Sequence, residues 1–143
     1  MSSTDLFLQK GKEVLASQPF SQTVGAALTH LSVGQCELQI PITPALLQQH
    51  GFVHGGVVSY AADNALTFAG GTALQVPVVT SEFKINYVRP AMGERLIARA
   101  HAVHVGKSQA VCRCDVFTHS DGVEKLCAVA QGTIAALPSG KAS

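Results

Sequence analysis

Leu6, Phe7, Val14 and Leu15 recur near helical spacing, and Pro19 follows, which predicts a short first helix over about residues 5–16 closed by the proline. Two strand-like runs come next, near residues 23–31 and 35–42, parted by Ser32-Val33-Gly34. Pro41 and Pro44 end the second and mark an edge or a strand terminus. The pattern then changes. Val57, Val58, Tyr60, Ala61, Ala62, Ala65, Leu66, Phe68 and Ala69 leave almost no polar side, the mark of a buried helix. It spans about residues 54–74, its small residues admit close neighbours, and Gly70-Gly71 is its expected break.

Beyond it the period becomes two. Phe83, Ile85 and Tyr87 alternate with Lys84, Asn86 and Val88. Ala110, Cys112, Cys114 and Val116 alternate with Val111, Arg113, Asp115 and Phe117. Turn signals at Pro90-Ala-Met-Gly93, Gly106-Lys107 and Ser120-Asp121-Gly122 predict consecutive antiparallel hairpins. The reading is one α+β domain over residues 1–143: an antiparallel sheet with a long helix packed on its face. Only residues 138–143 read as a frayed tail.

Composition narrows the function classes. Hydrophobic residues make up 47% and charged residues 13% of 143, which excludes a disordered chain. A net charge of +1 leaves no global field to grip a nucleic acid. The mean hydropathy of +0.26 suits either a membrane protein or a small chain that hides apolar surface in an oligomer. The stretch over residues 51–79 carries His54, Asp63 and Asn64 near its middle, so no membrane span is expected. The N-terminus lacks a secretory signal, and a cytoplasmic location is expected. Cys36, Cys112, Cys114 and Cys127 then read as reduced core residues; no Cys-x-x-Cys knuckle points to a metal.

Candidate chemistry centres on the long helix. Asp63 lies among alanines, where an ionised carboxylate is expensive without partners. Ser59 and Thr67 stand four residues to either side and complete a polar stripe. Asp63 is either a core carboxylate satisfied by Ser59 or nearby backbone, or a general base or nucleophile in a cleft. His54-Gly55-Gly56 sits at the helix start, where amides lack internal partners and can polarise a carbonyl. The plainer reading is a glycine-rich helix start. Gly55 and Asp63 are eight residues apart, about 12 Å along a helix. If the two cooperate, they come from different subunits, as an antiparallel pair of helices in a two-fold dimer would allow.

The run His54-Gly55-Gly56-Val57-Val58-Ser59-Tyr60-Ala61-Ala62-Asp63-Asn64-Ala65 resembles the signature helix of hotdog-fold acyl-CoA thioesterases of the phenylacetate-pathway (PaaI) type. Phe83-Lys-Ile-Asn-Tyr87-Val-Arg89-Pro90-Ala91, Gly93-Glu94 and Val105-Gly106-Lys107-Ser108 are similar to later segments of that family. The resemblance implies a hotdog fold, a sheet wrapped around the central helix, in dimers or dimers of dimers. It implies hydrolysis of an acyl-CoA to a free acid and CoA, with no cofactor because CoA is part of the substrate. By position, Gly55 would donate its N–H to the thioester carbonyl with Gly56 beside it. Asp63 of the opposite subunit would activate water or attack. His54 would orient the thioester or cap the helix, Gln48 replaces the family's usual Asn, and Thr80 would face the Asp.

Six of the ten Lys and Arg residues fall within residues 84–113, against Glu94 alone, so phosphates can be held without a basic chain overall. Arg89 and Lys107, each beside a turn, are the CoA-phosphate candidates. Pro90, Ser108 and Asn64 are further substrate contacts on the resemblance. Two other readings stay open, a non-catalytic acyl-CoA-binding module and an acyl-thioester hydratase or dehydratase. Ser59 lacks a Gly-x-Ser-x-Gly elbow. His50 and His54 do not assure a shared helical face for a metal, and His101 and His104 are expected on opposite sides of a strand.

Overall fold

The computed structural model describes residues 2–138; most of the predicted tail, residues 139–143, lies outside them. Helix α1 spans Ser3–Ala16 and α2 Pro19–Val24. Strands β1 (Ala27–Ser32) and β2 (Gln35–Pro41) follow, then a short 3-10 turn at Pro44–Leu46 and helix α3 at Gly55–Leu74. Strands β3 (Val78–Tyr87), β4 (Arg95–Val105), β5 (Gln109–Ser120) and β6 (Val123–Ala136) complete the chain. The strands form one antiparallel sheet in the order β1-β2-β4-β5-β6-β3, and α3 lies across it, touching all six strands. This is the hotdog architecture.

The packing follows from the spacing of α3's apolar residues. Val58, Ala61, Ala62, Ala65, Leu66 and Ala69 form one buried stripe at helical period. They meet the inward set Leu38, Ile40, Leu96, Ala98, Cys112, Cys114, Val116, Ala128 and Ile134. All four cysteines are buried and free. Two stiff close approaches fix the packing, the first between α3 and β6 and the second between the paired strands β6 and β3. A Cβ on Gly70 would lie 2.6 Å from Ile134 Cβ, and one on Gly132 would lie 2.6 Å from Phe83 Cβ. The hairpin at Asp121-Gly122 has positive φ at both central residues, 51° and 76°, the two-residue turn that suits strand twist.

Four expectations are corrected, and one that stood open is decided. Pro19 does not merely close the first helix. It opens α2 at a first-turn position, where its missing N–H costs nothing, so residues 19–24 are helical and the strand expected from about residue 23 begins at Ala27. Gly70-Gly71 does not break α3, which runs on to Leu74 and is capped by Gln75 in the left-handed region. Gly70 serves the approach of Ile134 instead. Of the two readings open for Pro41, an edge or a strand terminus, the terminus holds, because β2 ends at Pro41 and lies between β1 and β4. The Pro90–Gly93 turn does not make a hairpin. β3 pairs with β6, and the chain crosses to β4 with the Arg89 N–H on Cys127 O (3.3 Å) and the Glu94 N–H on His119 O (2.8 Å). His101 and His104 share the outer face, because a register shift between Ala102 and His104 absorbs one residue: they pair with Arg113 and Val111, which both alternate with inward Cys112.

Candidate active site

The first half of the site is the start of α3. His54 is its N-cap, and His54 Nδ1 accepts the Gly56 N–H at 2.8 Å. A Cβ on Gly56 would stand 2.9 Å from that nitrogen, so the ring seats closely on bare backbone. Gly56 therefore has its N–H engaged and does not stand as a second open donor beside Gly55. The Gly55 N–H, at the first helical position, has no acceptor among the described residues. The Gly55 carbonyl accepts the Tyr87 hydroxyl at 3.1 Å.

A tight loop delivers this helix start. Leu47 bridges Val53, the Gln48 N–H donates to Phe52 O at 2.8 Å, and the Gly51 N–H donates to Gln48 O at 3.0 Å. Gly51 sits at φ 86°, which a side chain would oppose. The Val53 N–H donates to Ala91 O and the His54 N–H to Leu46 O, both at 2.8 Å. The Gln48 side-chain oxygen accepts from the His50 N–H, which leaves its NH2 group as the free end. His50 thus belongs to the turn and His54 to the cap, and the two share no helical face.

A cleft of about 350 Å³ opens here, lined by Gln48, Gly55, Val58, Tyr87, Arg89 and Pro90 among others. A second groove of about 610 Å³ continues from it past Phe52, Arg89 and Pro90 to the β5–β6 hairpin and Lys125. Sequence reasoning brought Gln48, Gly55, Arg89 and Pro90 to one place. It missed Tyr87 and Lys125, which carry no local signal and come into the site only through strand pairing.

The second half lies further along α3. Asp63 Oδ1 accepts the Thr80 hydroxyl at 2.6 Å. Thr67 Oγ1 donates to the Asp63 carbonyl at 2.8 Å and lies 2.9 Å from Thr80 Oγ1. Ser59 makes no bond to Asp63, so the carboxylate's partner comes from β3 and not from its own helix. The local reason is a bulge: β3 shifts register against β6 between Thr80 and Glu82. The extra residue turns Thr80 toward α3 while Phe83 and Ile85 keep their half-buried positions.

Asn64 faces elsewhere. Its amide donates to Tyr60 Oη (2.9 Å) and Gln18 Oε1 (3.1 Å), in a polar cluster with Ser21 that ties α2 to α3. Lys107 and Ser108 form the β4–β5 turn, at the Val78 end of β3, whereas Arg89 lies past its Tyr87 end. Ten residues of strand separate the two, about 30 Å. Of the remaining cations in residues 84–113, Arg99 is committed to Glu37 and Glu124, and Arg113 to Gln131.

Residues 50–125 match the Thioesterase superfamily. The chain is similar to the crystal structure of a thioesterase family protein from Silicibacter pomeroyi, with 38% identity and a TM-score of 0.86 over 92% of this chain and 98% of that one. It is also similar to a mutant of the phenylacetic acid degradation protein PaaI from Thermus thermophilus, with 31% identity and a TM-score of 0.74 over 84% of this chain and 100% of that one. Among curated relatives, the 1,4-dihydroxy-2-naphthoyl-CoA hydrolase of Listeria monocytogenes is 26% identical over 116 residues, 80% of this chain and 92% of that protein.

Proposed function

The chain belongs to the thioesterase superfamily, and from that premise we propose that this thioester hydrolase acts on acyl-CoA through a site shared by two subunits. The observation that carries the reading is the pair of half-sites on one rigid helix: an open N–H at Gly55 and a hydrogen-bonded carboxylate at Asp63. Eight residues of α3 hold them about 12 Å apart, too far to meet one carbonyl. A two-fold arrangement of antiparallel α3 helices sets Gly55 of one subunit beside Asp63 of the other. The open edge of β3, with Val79 and Tyr87 half exposed, is the surface for that pairing.

In the complete site the thioester carbonyl oxygen accepts from the Gly55 N–H, at the positive end of a 20-residue helix. Asp63 of the opposite subunit either takes a proton from water, so that hydroxide attacks the carbonyl carbon, or attacks that carbon itself. The first route gives a tetrahedral intermediate that expels the CoA thiolate. The second breaks the C–S bond, releasing the CoA thiolate as an acyl anhydride forms on Asp63, and water then cleaves that anhydride. In both, the products are a carboxylic acid and CoA-SH. Thr80 fixes the carboxylate by its 2.6 Å bond. The same two-fold arrangement turns the 30 Å separation of Arg89 and Lys107 to use, since opposite ends of β3 from two subunits face one another, and both cations then serve one CoA. The chain needs no cofactor for this chemistry.

The test is thiol release from a panel of acyl-CoAs by the wild type and by Asp63→Asn. The Listeria relative is named for an aromatic acyl-CoA, so the panel includes aromatic beside short and medium-chain acyl groups. Binding of every acyl-CoA without thiol release would replace the enzyme by a binding module, and a hydrated acyl-CoA product would replace it by a hydratase.

A further inference from the structure

Strand β6 does not keep strict alternation. Ala128, Ala130 and Ile134 are buried inward at even spacing, a pattern that would send Leu126 inward and Lys125 outward. The ladder with β5 slips instead: Val116 pairs with Ala128, but the next residue, Phe117, pairs with Leu126. Cys127 is the extra residue of a bulge, and beyond it the two faces exchange. Leu126 joins Phe117 on the outer face. Lys125 pairs with Thr118, buried two residues after inward Val116, so the lysine is turned to the inner side.

The same bulge holds a second cation. Cys127 O accepts the Val88 N–H at 2.9 Å and the Arg89 N–H at 3.3 Å, which fixes the chain as it leaves β3. Arg89 and Lys125 thus line one groove of about 610 Å³, with Phe52, Met92 and Val123 as apolar surface and Asp121 at its rim. Neither cation makes an ion pair among the described residues, where Arg99 holds Glu37 and Glu124. The groove runs on from the Gly55 cleft, and Arg89 belongs to both. Lys125 stands three residues of β6 beyond Ala128, the partner of Tyr87, about 10 Å along the strand.

Two uncommitted cations in one groove favour an anionic ligand. Of the two arms of an acyl-CoA, the CoA arm carries phosphates whatever the acyl group, and its adenine suits the apolar surface. Resting on the thioesterase reading, we propose that Lys125 is a specificity-determining residue: with Arg89 it holds the phosphates of CoA in the β5–β6 groove of the subunit that supplies the Gly55 amide. The bulge at Cys127 is what builds this subsite, since it aims one cation and anchors the backbone of the other.

The same acyl group carried on CoA and on pantetheine, which lacks the phosphates, separates the two parts of the substrate. Lys125→Gln is expected to lower the preference for acyl-CoA over acyl-pantetheine in kcat/KM about three- to fivefold, the worth of one exposed ion pair. Lys125→Glu reverses the charge and lowers it further, and both losses shrink at high ionic strength. An unchanged preference overturns the proposal. So does an equal loss on both substrates, which assigns Lys125 to the hairpin's own structure. A loss confined to acyl groups that end in a carboxylate also overturns it, and gives the groove to the acyl arm. Calorimetry with CoA reads the same groove without turnover, and Lys125→Gln is expected to bind CoA about three- to fivefold more weakly than the wild type. If the wild type hydrolyses no acyl-CoA, the thioesterase reading fails, while equal CoA binding by wild type and variant overturns the phosphate subsite by itself.

Discussion

Thr80 on β3 donates its hydroxyl to Asp63 Oδ1 on α3 across 2.6 Å, and Thr67 closes the triangle at 2.9 Å from the same hydroxyl. A carboxylate inside an apolar helix is thus fixed by a strand, while its second oxygen is left for chemistry. On the proposed function, Asp63→Asn keeps the shape and removes the base or nucleophile, and kcat for acyl-CoA is expected to fall on the order of a thousandfold. Thr80→Val, which loses one hydrogen bond to a charged group, costs about 10- to 100-fold, and Thr80→Ser restores most of it. Steady-state thiol release measures all three, and wild-type turnover in Asp63→Asn would sink the assignment.

The Gly55 N–H can be deleted without disturbing the helix. Gly55 is the first residue of α3, where proline is tolerated, and His54 at φ −57° and ψ 134° already has the extended backbone that proline demands before it. Gly55→Pro is expected to lower kcat by about 10²- to 10³-fold, as for an oxyanion donor. Mixed with Asp63→Asn and allowed to exchange subunits, it regains roughly a quarter of wild-type activity, because half the dimers carry one intact site. No recovery on mixing argues against a site shared between subunits.

The sequence carried the centre of this molecule better than its margins, and the reason is physical. A buried helix with a carboxylate and a glycine start is a local pattern, so α3, Asp63 and His54-Gly55-Gly56 were legible. Gly56 shows the limit, since which of two adjacent amides is open depends on how the His54 ring turns. Pro19 is ambiguous in one dimension: it ends one helix and begins another, and only the contacts of Gln18 and Ser21 with Tyr60 and Asn64 decide. Tyr87 over Gly55 depends on where β3 lies in the sheet, and the turn at Pro90 does not encode that β3 pairs with β6 instead of β4. Strand bulges are similarly silent. The one beside Ser81 aims Thr80, and the one beside Val103 brings His101 and His104 to one face.

Gly70 tests how α3 is seated on the sheet. Any side chain there meets the β-branched Ile134, whose Cβ, Cγ1 and Cγ2 all lie within 2.6–2.8 Å of the added carbon. Alanine's better helix propensity offsets only about 1 kcal/mol. Overpacking of this kind costs about 1–3 kcal/mol, so Gly70→Ala is expected to lower the denaturation midpoint. Ile134→Ala, which removes Cγ1 and Cγ2, is expected to cost less in the Gly70→Ala background than in the wild type, and urea unfolding of the single and double variants reads the coupling.

The four thiols should be silent in the folded protein. Burial pushes Cys112 and Cys127 up to about 11, and Cys36 and Cys114 still further, with neighbouring charge adding to the burial effect in the last two. Thiolate is the reactive form. At pH 8 an aromatic disulfide reagent is expected to label none of them in the native state and all four in urea. Thiol released in an acyl-CoA assay is then CoA and not protein, and rapid native labelling would refute the closed core around these strands.

Arg99 sets the acid limit of stability on the outer face. Its Nε donates to Glu37 at 2.7 Å, and its two terminal nitrogens grip both oxygens of Glu124 at 2.7 Å each, so one guanidinium ties β2 to β6 across β4 and β5. Its carbon also lies 5.2 Å over the Phe117 ring. Burial pushes the Glu37 carboxyl up, but hydrogen bonds from Thr29, Arg99 and Gln39 outweigh it and leave it below the ordinary 4.5. The Arg99 hydrogen bond, against a weaker effect of burial, lowers Glu124 as well. Carboxylates held low in the folded state bind protons more weakly there than in the unfolded chain, so their contribution is complete above the ordinary value and is lost as pH falls through the folded one. With Arg99 42% exposed, each pair is screened and worth little at neutral pH. The expected signature is therefore a slope rather than a large offset. Arg99→Met, which keeps the packing on Phe117, should lower Tm slightly at pH 7 and flatten its fall below pH 4.5. Coincident acid limbs for the wild type and Arg99→Met in thermal unfolding would remove the network from the account of stability.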